Sequence, residues 1–238
     1  MNIRLRYLFS LPLLTLSLGF TCSVSAANAN PTIVFSDDFT GRSEIGGDYV
    51  SQKEWMGDWT VVDGVLVGKQ LNPDHGAIIR VLREFQNLEV EFDFRFSGGT
   101  RWNFVVDDHN YQPVHAGHIC RLSLSPNSIK VADDKTGAMD LKIRHQRQDK
   151  NLPAARRDAL DAYLETKQAN AKLDLKKGQW YKLRVVIQDD TMSAYLDGKL
   201  VTSLRSPGFA HPTKTKFGFT VNGSTTEFDN LKIFAPKP

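Results

Sequence analysis

Apolar and polar residues alternate most regularly between Gly178 and Val201, and this alternation predicts antiparallel strands. The apolar face carries Tyr181, Leu183, Val185 and Ile187, and the intervening positions carry Trp180, Lys182, Arg184 and Val186. A period of two is typical of a strand with one buried face. Asp197-Gly198 then supplies the positive φ angles that a two-residue hairpin turn requires. This segment therefore predicts part of a β-sandwich.

The same alternation recurs in short segments along the chain, separated by Gly, Pro and Asn turns. These segments are Ile33–Phe35, a hairpin over Trp59–Val67 that turns at Asp63-Gly64, Ala77–Val81, Leu88–Phe96, Asn103–Val106, His118–Leu124, Ser128–Val131, Lys216–Val221 and Phe228–Phe234. Many short strands without helices between them predict an all-β fold. We expect one domain over residues 31–236, a two-sheet antiparallel jelly-roll sandwich.

One segment departs from this pattern and predicts an inserted helix. From Pro153 to Lys167 the chain is rich in helix formers and nearly free of β-branched residues. Its apolar residues, Tyr163 among them, fall on one helical stripe with charges opposite. We therefore expect a surface helix within about residues 152–170. It either docks on the sandwich or acts as a lid over a binding face, and the ordinary composition of the stripe favours docking.

The start of the chain has the features of an export signal. Arg4 and Arg6 precede an apolar run from Tyr7 to Phe20, and Val24-Ser25-Ala26 offers the small residues that a signal peptidase accepts. We expect residues 1–26 to be removed and the mature protein to be secreted or periplasmic. A second cleavage site after Ala29 and a lipid anchor at Cys22 are the alternatives, and the second is disfavoured.

Composition limits the partners of the mature chain. The formal charge is +3, and removal of the two signal arginines brings it closer to neutral, so nothing favours nucleic acid or an anionic membrane. Without Cys22 the mature chain retains only Cys120, which excludes an intramolecular disulfide. We expect a monomer whose core is stabilised by packing alone.

Eight short motifs follow one another between Phe35 and Phe234. They are D-D-F-T-G-R, W-T-V-V-D-G-V-L, H-G-A-I-I-R, F-Q-N-L-E-V-E-F-D-F-R-F, G-Q-W-Y-K-L-R-V-V-I, Y-L-D-G-K-L-V, K-F-G-F-T-V-N-G and E-F-D-N-L-K-I-F. In this order the chain resembles the concanavalin A-like lectin/glucanase superfamily and, within it, the 3-keto-disaccharide hydrolase domain. The resemblance implies a jelly roll whose concave face contacts sugars, and an activity that cleaves oxidised disaccharides.

A polar cluster around two short strands contains the candidate site residues. We expect Asp107, Asp108, His115 and His118 to act as acids or bases, because these side chains move protons near neutral pH. Sugar binding needs aromatic faces and fixed hydrogen-bonding groups, which are offered by Trp102, Asn103, Tyr111 and Arg121. The alternatives are a surface loop with hydrogen-bonded histidines and a transition-metal site at the acids and histidines, although no recognised ligand spacing supports the latter.

Two positions in this cluster are three residues apart, and this affects the geometry of the site. His118 and Arg121 would face opposite sides of one strand, unless a β-bulge intervenes. Only one of them is therefore expected in a cleft if the strand is regular.

Two further sets of acids are candidates for other roles. Glu91 and Asp93 stand at i and i+2 on one strand face, which suits the close carboxylate pair of a retaining glycosidase, although a solvated outer face is the more common meaning of such a pattern. Asp38 and Asp229 lie near the two ends of the domain, where oxygen ligands suit a structural Ca²⁺. Turn capping is the alternative there. We expect no cofactor to be required for activity.

These observations favour an exported carbohydrate-active protein. The resemblance implies a substrate that is a 3-keto-disaccharide or a related oxidised sugar. A 3-keto group acidifies the neighbouring C–H bond, so a histidine or aspartate base would promote elimination, followed by hydration. A non-catalytic glycan-binding module of the laminin-G-like type is nearly as well supported, and a structural envelope protein is a third hypothesis.

Overall fold

The computed structural model describes residues 32–51 and 57–235, which form fifteen strands and two α-helices. The predicted export signal lies outside the described residues. The strands are β1 (Ile33–Asp37), β2 (Tyr49–Ser51), β3 (Asp58–Val62), β4 (Val65–Lys69), β5 (Ala77–Phe85), β6 (Leu88–Phe96), β7 (Gly99–Asp107), β8 (His118–Ser125), β9 (Ser128–Asp133), β10 (Gln168–Lys172), β11 (Trp180–Gln188), β12 (Thr191–Leu196), β13 (Lys199–Arg205), β14 (Lys214–Gly223) and β15 (Thr226–Phe234); the helices are α1 (Leu141–Gln148) and α2 (Ala154–Glu165).

The strands pair into two antiparallel sheets. The first has the order β13-β12-β11-β6-β15-β4-β3, and β1 also pairs with β15; the second has the order β10-β9-β8-β7-β14-β5-β2. Turns of the expected kind join neighbouring strands, because Asp63, Gly64, Asp197 and Gly198 all have positive φ. The predicted two-sheet antiparallel jelly roll is confirmed.

Aromatic residues of both sheets fill the space between them. Phe92 of the first sheet meets Phe219 of the second with ring centroids 4.9 Å apart, and Phe219 stacks on Phe228 at 4.2 Å. Val185 is buried in the same cluster. The inner faces that the alternation predicts are therefore the ones that pack together.

The helical region differs in part from the expectation. Helix α2 is present, and the hydroxyl of Tyr163 donates to the Thr136 carbonyl at 2.7 Å. The helix ends at Glu165, because the following residues form the edge strand β10, paired with β9. Helix α1 was not predicted; its N-terminus is capped by Asp140, whose side chain accepts from two backbone N–H groups.

None of the helices in the described ranges has the length and apolar character that crossing a bilayer requires.

Candidate active site

A groove of about 540 Å³ lies on the outer side of the second sheet. Side chains that alternate with the core residues of β5, β7, β8 and β14 line it, since successive strand residues point to opposite faces. The turn before β8 and the region of α1 contribute further residues. A volume of this size suits a small ligand such as one or two sugar units.

A chain of three polar side chains lies in this groove. Nδ1 of His118 lies 2.6 Å from Oδ1 of Asp107, and Nε of Arg80 donates to the other oxygen, Oδ2, at 3.0 Å. Arg80 and Asp107 are both buried. Because a carboxylate only accepts, His118 donates from Nδ1, and the lone pair of Nε2 remains available as a base.

The pKa of Asp107 is below its ordinary value. Burial alone raises it, but the hydrogen bond from His118 and the charge of Arg80 outweigh that effect. Asp107 therefore remains a carboxylate throughout the neutral range. In this state it fixes both the orientation of the imidazole and its tautomer.

A β-bulge brings His118 and Arg121 to the same groove. Asp107 pairs with His118 while Val106 pairs with Cys120, so Ile119 is an extra residue in β8. Its carbonyl leaves the ladder and accepts from the backbone N–H groups of Asp134 and Lys135. Both side chains line the groove although they are three residues apart, which is the exception that a bulge allows.

Arg121 is fixed by a bidentate ion pair. Its Nε and Nη2 atoms donate to the two carboxylate oxygens of Asp134, at 3.0 and 2.8 Å. Burial lowers the pKa of Arg121, but the charge and hydrogen bonds of Asp134 outweigh that effect and raise it above the ordinary value. The guanidinium is therefore a permanent cation held in one place, and its Nη1 donors are left for a ligand.

His115 and Asn103 complete the predicted residues that line the groove. The rings of His115 and His118 lie 6.1 Å apart. Partial burial, Arg144 and His118 together lower the pKa of His115, so it is neutral at pH 7. Asn103 accepts from the Ser123 hydroxyl through Oδ1 at 2.7 Å, which leaves its amide N–H groups for a ligand.

The expectation that Trp102 stacks on a sugar is wrong. Its side chain is fully buried in the core, with ring centroids 5.1 Å from Phe94 and 5.4 Å from Phe228. Trp102, Phe104 and Val106 share one parity in β7 and point inward, so only the intervening residues reach the groove.

Asp108 and Tyr111 do not line the groove either. Asp108 is buried and accepts from Nε2 of His211 at 2.9 Å. The ring of Tyr111 packs against the same histidine, with centroids 4.7 Å apart. These residues therefore stabilise the loop after β7 by contacts with His211, and the structure corrects their assignment to catalysis and to sugar binding.

The pair Glu91 and Asp93 lies on the outer face of the other sheet. Nζ of Lys182 is 3.4 Å from Glu91 and 3.0 Å from Asp93. The interpretation as a solvated, charged face therefore holds. Within the described part of the groove the carboxylates are Asp74 and Asp107.

Asp38 and Asp229 line a separate shallow depression. Asp38 accepts from the backbone of Thr40, and Asp229 from that of Asn230. Burial, and then the negative charges of neighbouring aspartates, raise the pKa of Asp229. Across the described residues, no three His, Cys, Asp or Glu side chains are grouped so as to hold a metal ion. Calcium at this position stays a prediction.

Sequence reasoning missed several groove residues, above all Arg80, Arg144 and Lys216. Arg80 carried a usable signal, because an arginine within the apolar segment Ala77–Leu82 must either leave the core or find a partner there. Arg144 belongs to the helix that was not predicted. Lys216 was assigned to a strand without attention to its outward face.

Comparison with solved structures shows the same fold in carbohydrate-active proteins. The chain superposes on carbohydrate binding module CBM66 from Bacillus subtilis with a TM-score of 0.53 and 14% identity, covering 81% of this chain and 98% of that one. For SCLam, an endo-β-1,3(4)-glucanase of family GH16, the TM-score is 0.57 with 13% identity and 87% and 91% coverage. A sialidase gives 0.59 and 15%, with 87% of this chain but only 19% of that chain covered.

Comparison of sequences is more specific. No curated protein matches the chain significantly. The model of the 3-keto-alpha-glucoside-1,2-lyase-like domain matches residues 37–234, which is nearly the whole of the sandwich from β1 to β15 and includes every residue of the groove. The chain therefore belongs to the 3-keto-alpha-glucoside-1,2-lyase-like domain family, a carbohydrate-active jelly-roll family.

Proposed function

We propose that the groove catalyses β-elimination at a 3-keto-glucoside, with His118 as the base. The observation that carries this proposal is the Arg80–Asp107–His118 chain, which engages Nδ1 of His118 and leaves Nε2 without a protein partner among the described residues, in a groove large enough for a sugar. Membership of a family named for 3-keto-glucoside lyases supports the substrate class.

The reaction begins at the C–H bond next to the ketone. His118 takes the proton from C2, and the electron pair of that bond moves into the carbonyl to form an enolate. When the enolate collapses, a C1–C2 double bond forms and the glycosidic C1–O bond breaks. The leaving oxygen takes the proton from the imidazolium of His118, which restores the base, and addition of water across the double bond completes the net hydrolysis.

Asp107 and Arg121 have separate roles in this sequence. Asp107 holds His118 in the productive tautomer and stabilises the imidazolium that forms, as a carboxylate does for a histidine base. Arg121, pinned by Asp134, presents fixed donors to the oxygen on which negative charge develops. Because the cation is already in place, no reorganisation is needed during the reaction.

The acids of the groove argue against the usual glycosidase mechanism. That mechanism needs two carboxylates beside the scissile bond. Of the two described acids in the groove, Asp107 has both oxygens engaged by His118 and Arg80, and Asp74 lies on the exposed rim. A single positioned histidine base suits elimination better than displacement.

The lining also differs from that of a simple sugar-binding cleft. No Trp, Tyr or Phe of the described residues lines the groove, although stacking on such rings is a common way to hold a sugar. The polar and charged lining instead suits a reaction in which charge develops. The second hypothesis is a glycan-binding module without activity, and the experiment below distinguishes it from the proposed elimination.

The test uses purified protein with trehalose and 3-keto-trehalose. We expect release of sugar from the oxidised disaccharide alone, because only its C2–H bond is acidified. His118→Asn should lower kcat by about 10²–10⁴-fold, the usual contribution of a general base. Deuterium at C2 of the keto sugar should slow the wild-type reaction if C–H cleavage limits the rate.

Two results would contradict the proposal. Turnover by His118→Asn at the wild-type rate would exclude this residue as the base. Saturable binding of sugars without turnover of either disaccharide would support the glycan-binding alternative. His145→Asn, on the exposed surface of α1 and outside the groove lining, serves as a matched control and should retain full activity.

We also propose that the protein acts outside the cytoplasm, since Met1–Ala26 combines a basic start, an apolar run and a small-residue cleavage site. Mass spectrometry of protein made from the whole chain should show a mature N-terminus after Ala26 or Ala29. A chain that retains Met1 in a cytoplasmic fraction would contradict this.

A further inference from the structure

The end of the groove that holds His118 carries cations without an anionic partner. Arg144 and Lys216 both line this groove and are half-buried. No described residue forms a salt bridge with either of them, whereas Arg80 pairs with Asp107 and Arg121 with Asp134. Two cations are therefore left free for a ligand.

Both cations flank the proposed base. Lys216 is the cross-strand neighbour of Asp107 in the β14–β7 ladder, but the two oxygens of that aspartate are occupied by His118 and Arg80. Arg144 lies close enough to His115 for its charge to lower the pKa of that ring, and His115 is itself 6.1 Å from His118.

The opposite end of the groove is different. Arg101 lies six residues before Asp107 in β7, which places it roughly 20 Å away at about 3.4 Å per residue. Asp74 and Asn222 line the groove at that end, so an acid accompanies the arginine there. At the His118 end the one described acid of the lining is Asp107, and both of its oxygens are already occupied by His118 and Arg80.

We propose, on the basis of the function proposed above, that the substrate carries an anionic group within one sugar unit of the C2 atom that His118 deprotonates, and that Arg144 and Lys216 bind this group. A carboxylate of a uronic acid and a phosphate ester share the required chemistry. Partly buried guanidinium and ammonium groups form strong charge-assisted hydrogen bonds with either of them.

The test measures binding of unreactive sugars to the intact protein by isothermal titration calorimetry. The probes are methyl α-D-glucuronide, glucose 6-phosphate and the neutral methyl α-D-glucoside. We expect either or both anionic probes to bind about tenfold or more tightly than the neutral one. High salt should reduce this preference, because screening weakens exposed charge interactions. The stronger of the two anionic probes identifies the source of the charge.

Variants localise the effect. Arg144→Gln and Lys216→Gln should each reduce the preference for the anionic probe several-fold, and together they should abolish it. Arg101→Gln, at the far end, and Lys199→Gln, on the exposed edge of the other sheet, are matched changes of charge that should retain it. Thermal unfolding of each variant shows whether the protein still folds.

Three results would overturn the inference: equal affinity for the neutral and anionic probes, a preference that persists in the double variant, and no measurable binding of any probe. The proposed function is tested separately. Turnover of neutral 3-keto-trehalose without any anionic preference would leave elimination standing and remove the acidic substrate. A preference for anionic sugars in a protein that cleaves no keto sugar would support the anionic site and contradict the proposed elimination.

Discussion

Oδ1 of Asp107 lies 2.6 Å from Nδ1 of His118, and a β-bulge in β8 makes these two residues cross-strand partners. Without the extra residue Ile119, the regular ladder would have placed the side chains of His118 and Arg121 on opposite faces. The bulge therefore assembles the base and the fixed cation in one groove.

Asp107→Asn should lower kcat on 3-keto-trehalose by about 10²–10⁴-fold, because the neutral amide no longer stabilises the imidazolium or fixes its tautomer. Initial rates at saturating substrate measure this. Asp93→Asn, on the outer face of the other sheet, removes the same charge and should retain the wild-type rate. Equal rates in wild type and Asp107→Asn would show that His118 works without its partner.

Gly218 is the second structural requirement of the groove. It pairs with Arg80 on one side and with Val105 on the other. A Cβ atom there would lie 2.1 Å from the Ile79 carbonyl oxygen, which is backbone and cannot rotate away. The absence of a side chain therefore lets β5 and β14 pair closely beneath the Arg80 side chain.

Gly218→Ala should accordingly reduce the free energy of unfolding by about 1–3 kcal/mol, the range typical of overpacking at a buried site. Urea denaturation of the purified variant measures this. Gly47→Ala is the control, because a Cβ at Gly47 meets no atom within 4 Å. Equal stability of the two variants would mean that the strands adjust to the methyl group at little cost.

The sequence predicted the strands better than it predicted the site. Strand β6 begins at Leu88 and ends at Phe96, as the alternation indicates, because one strand face must be buried along its whole length. Trp102 was misplaced although the same rule applies to it, since it shares parity with Phe104 and Val106. Its side chain was judged by its chemistry and not by its position in the strand.

Other features had no signal in the pattern. The bulge at Ile119 depends on the backbone N–H groups after β9 that donate to the Ile119 carbonyl. Only the folded structure defines their position. Likewise, Asp108 and His211 lie 103 residues apart in the sequence, and their contact follows from the packing of two loops. Site residues from distant segments are therefore the least predictable part of this molecule.

The position of Trp102 leads to a prediction that separates packing from sugar binding. Trp102→Phe should lower the free energy of unfolding by about 1–3 kcal/mol through a partly filled cavity, and should leave affinity for sugars unchanged. Asn103→Ala, the next residue along β7, faces the groove and should weaken sugar binding more than it weakens the fold. Calorimetry measures the affinity of both variants for sugars, and urea denaturation measures their free energy of unfolding. Lost affinity with wild-type stability in Trp102→Phe would contradict the core assignment.

Lys214 gives the fold a dependence on alkaline pH. Its side chain is fully buried, and Nζ donates to the carbonyls of Gln86 and His211 at 2.5 and 2.8 Å. Burial lowers the pKa of Lys214 from 10.5 to about 8; the nearby Cys120 opposes this effect, and Lys135 adds to it. The folded protein therefore loses this proton at a lower pH than the unfolded chain does.

The sign of the effect follows from proton linkage. Between pH 8 and pH 10.5 the unfolded state binds more protons at this group than the folded state does, so its contribution to stability increases as pH rises. The full contribution is present above pH 10.5 and is lost as pH falls to 8; it amounts to at most about 3 kcal/mol. Below pH 8 it no longer changes.

Lys214→Met removes this titration, so the free energy of unfolding of wild type relative to the variant should rise as pH increases from 8 to 10.5. Urea denaturation at a series of pH values measures the difference. Lys199→Met, on the exposed edge of β13, should give a difference that does not change with pH. The prediction is contradicted if the difference for Lys214→Met does not change with pH either. The two carbonyl partners of Lys214 would then stabilise its ammonium group as fully as water does.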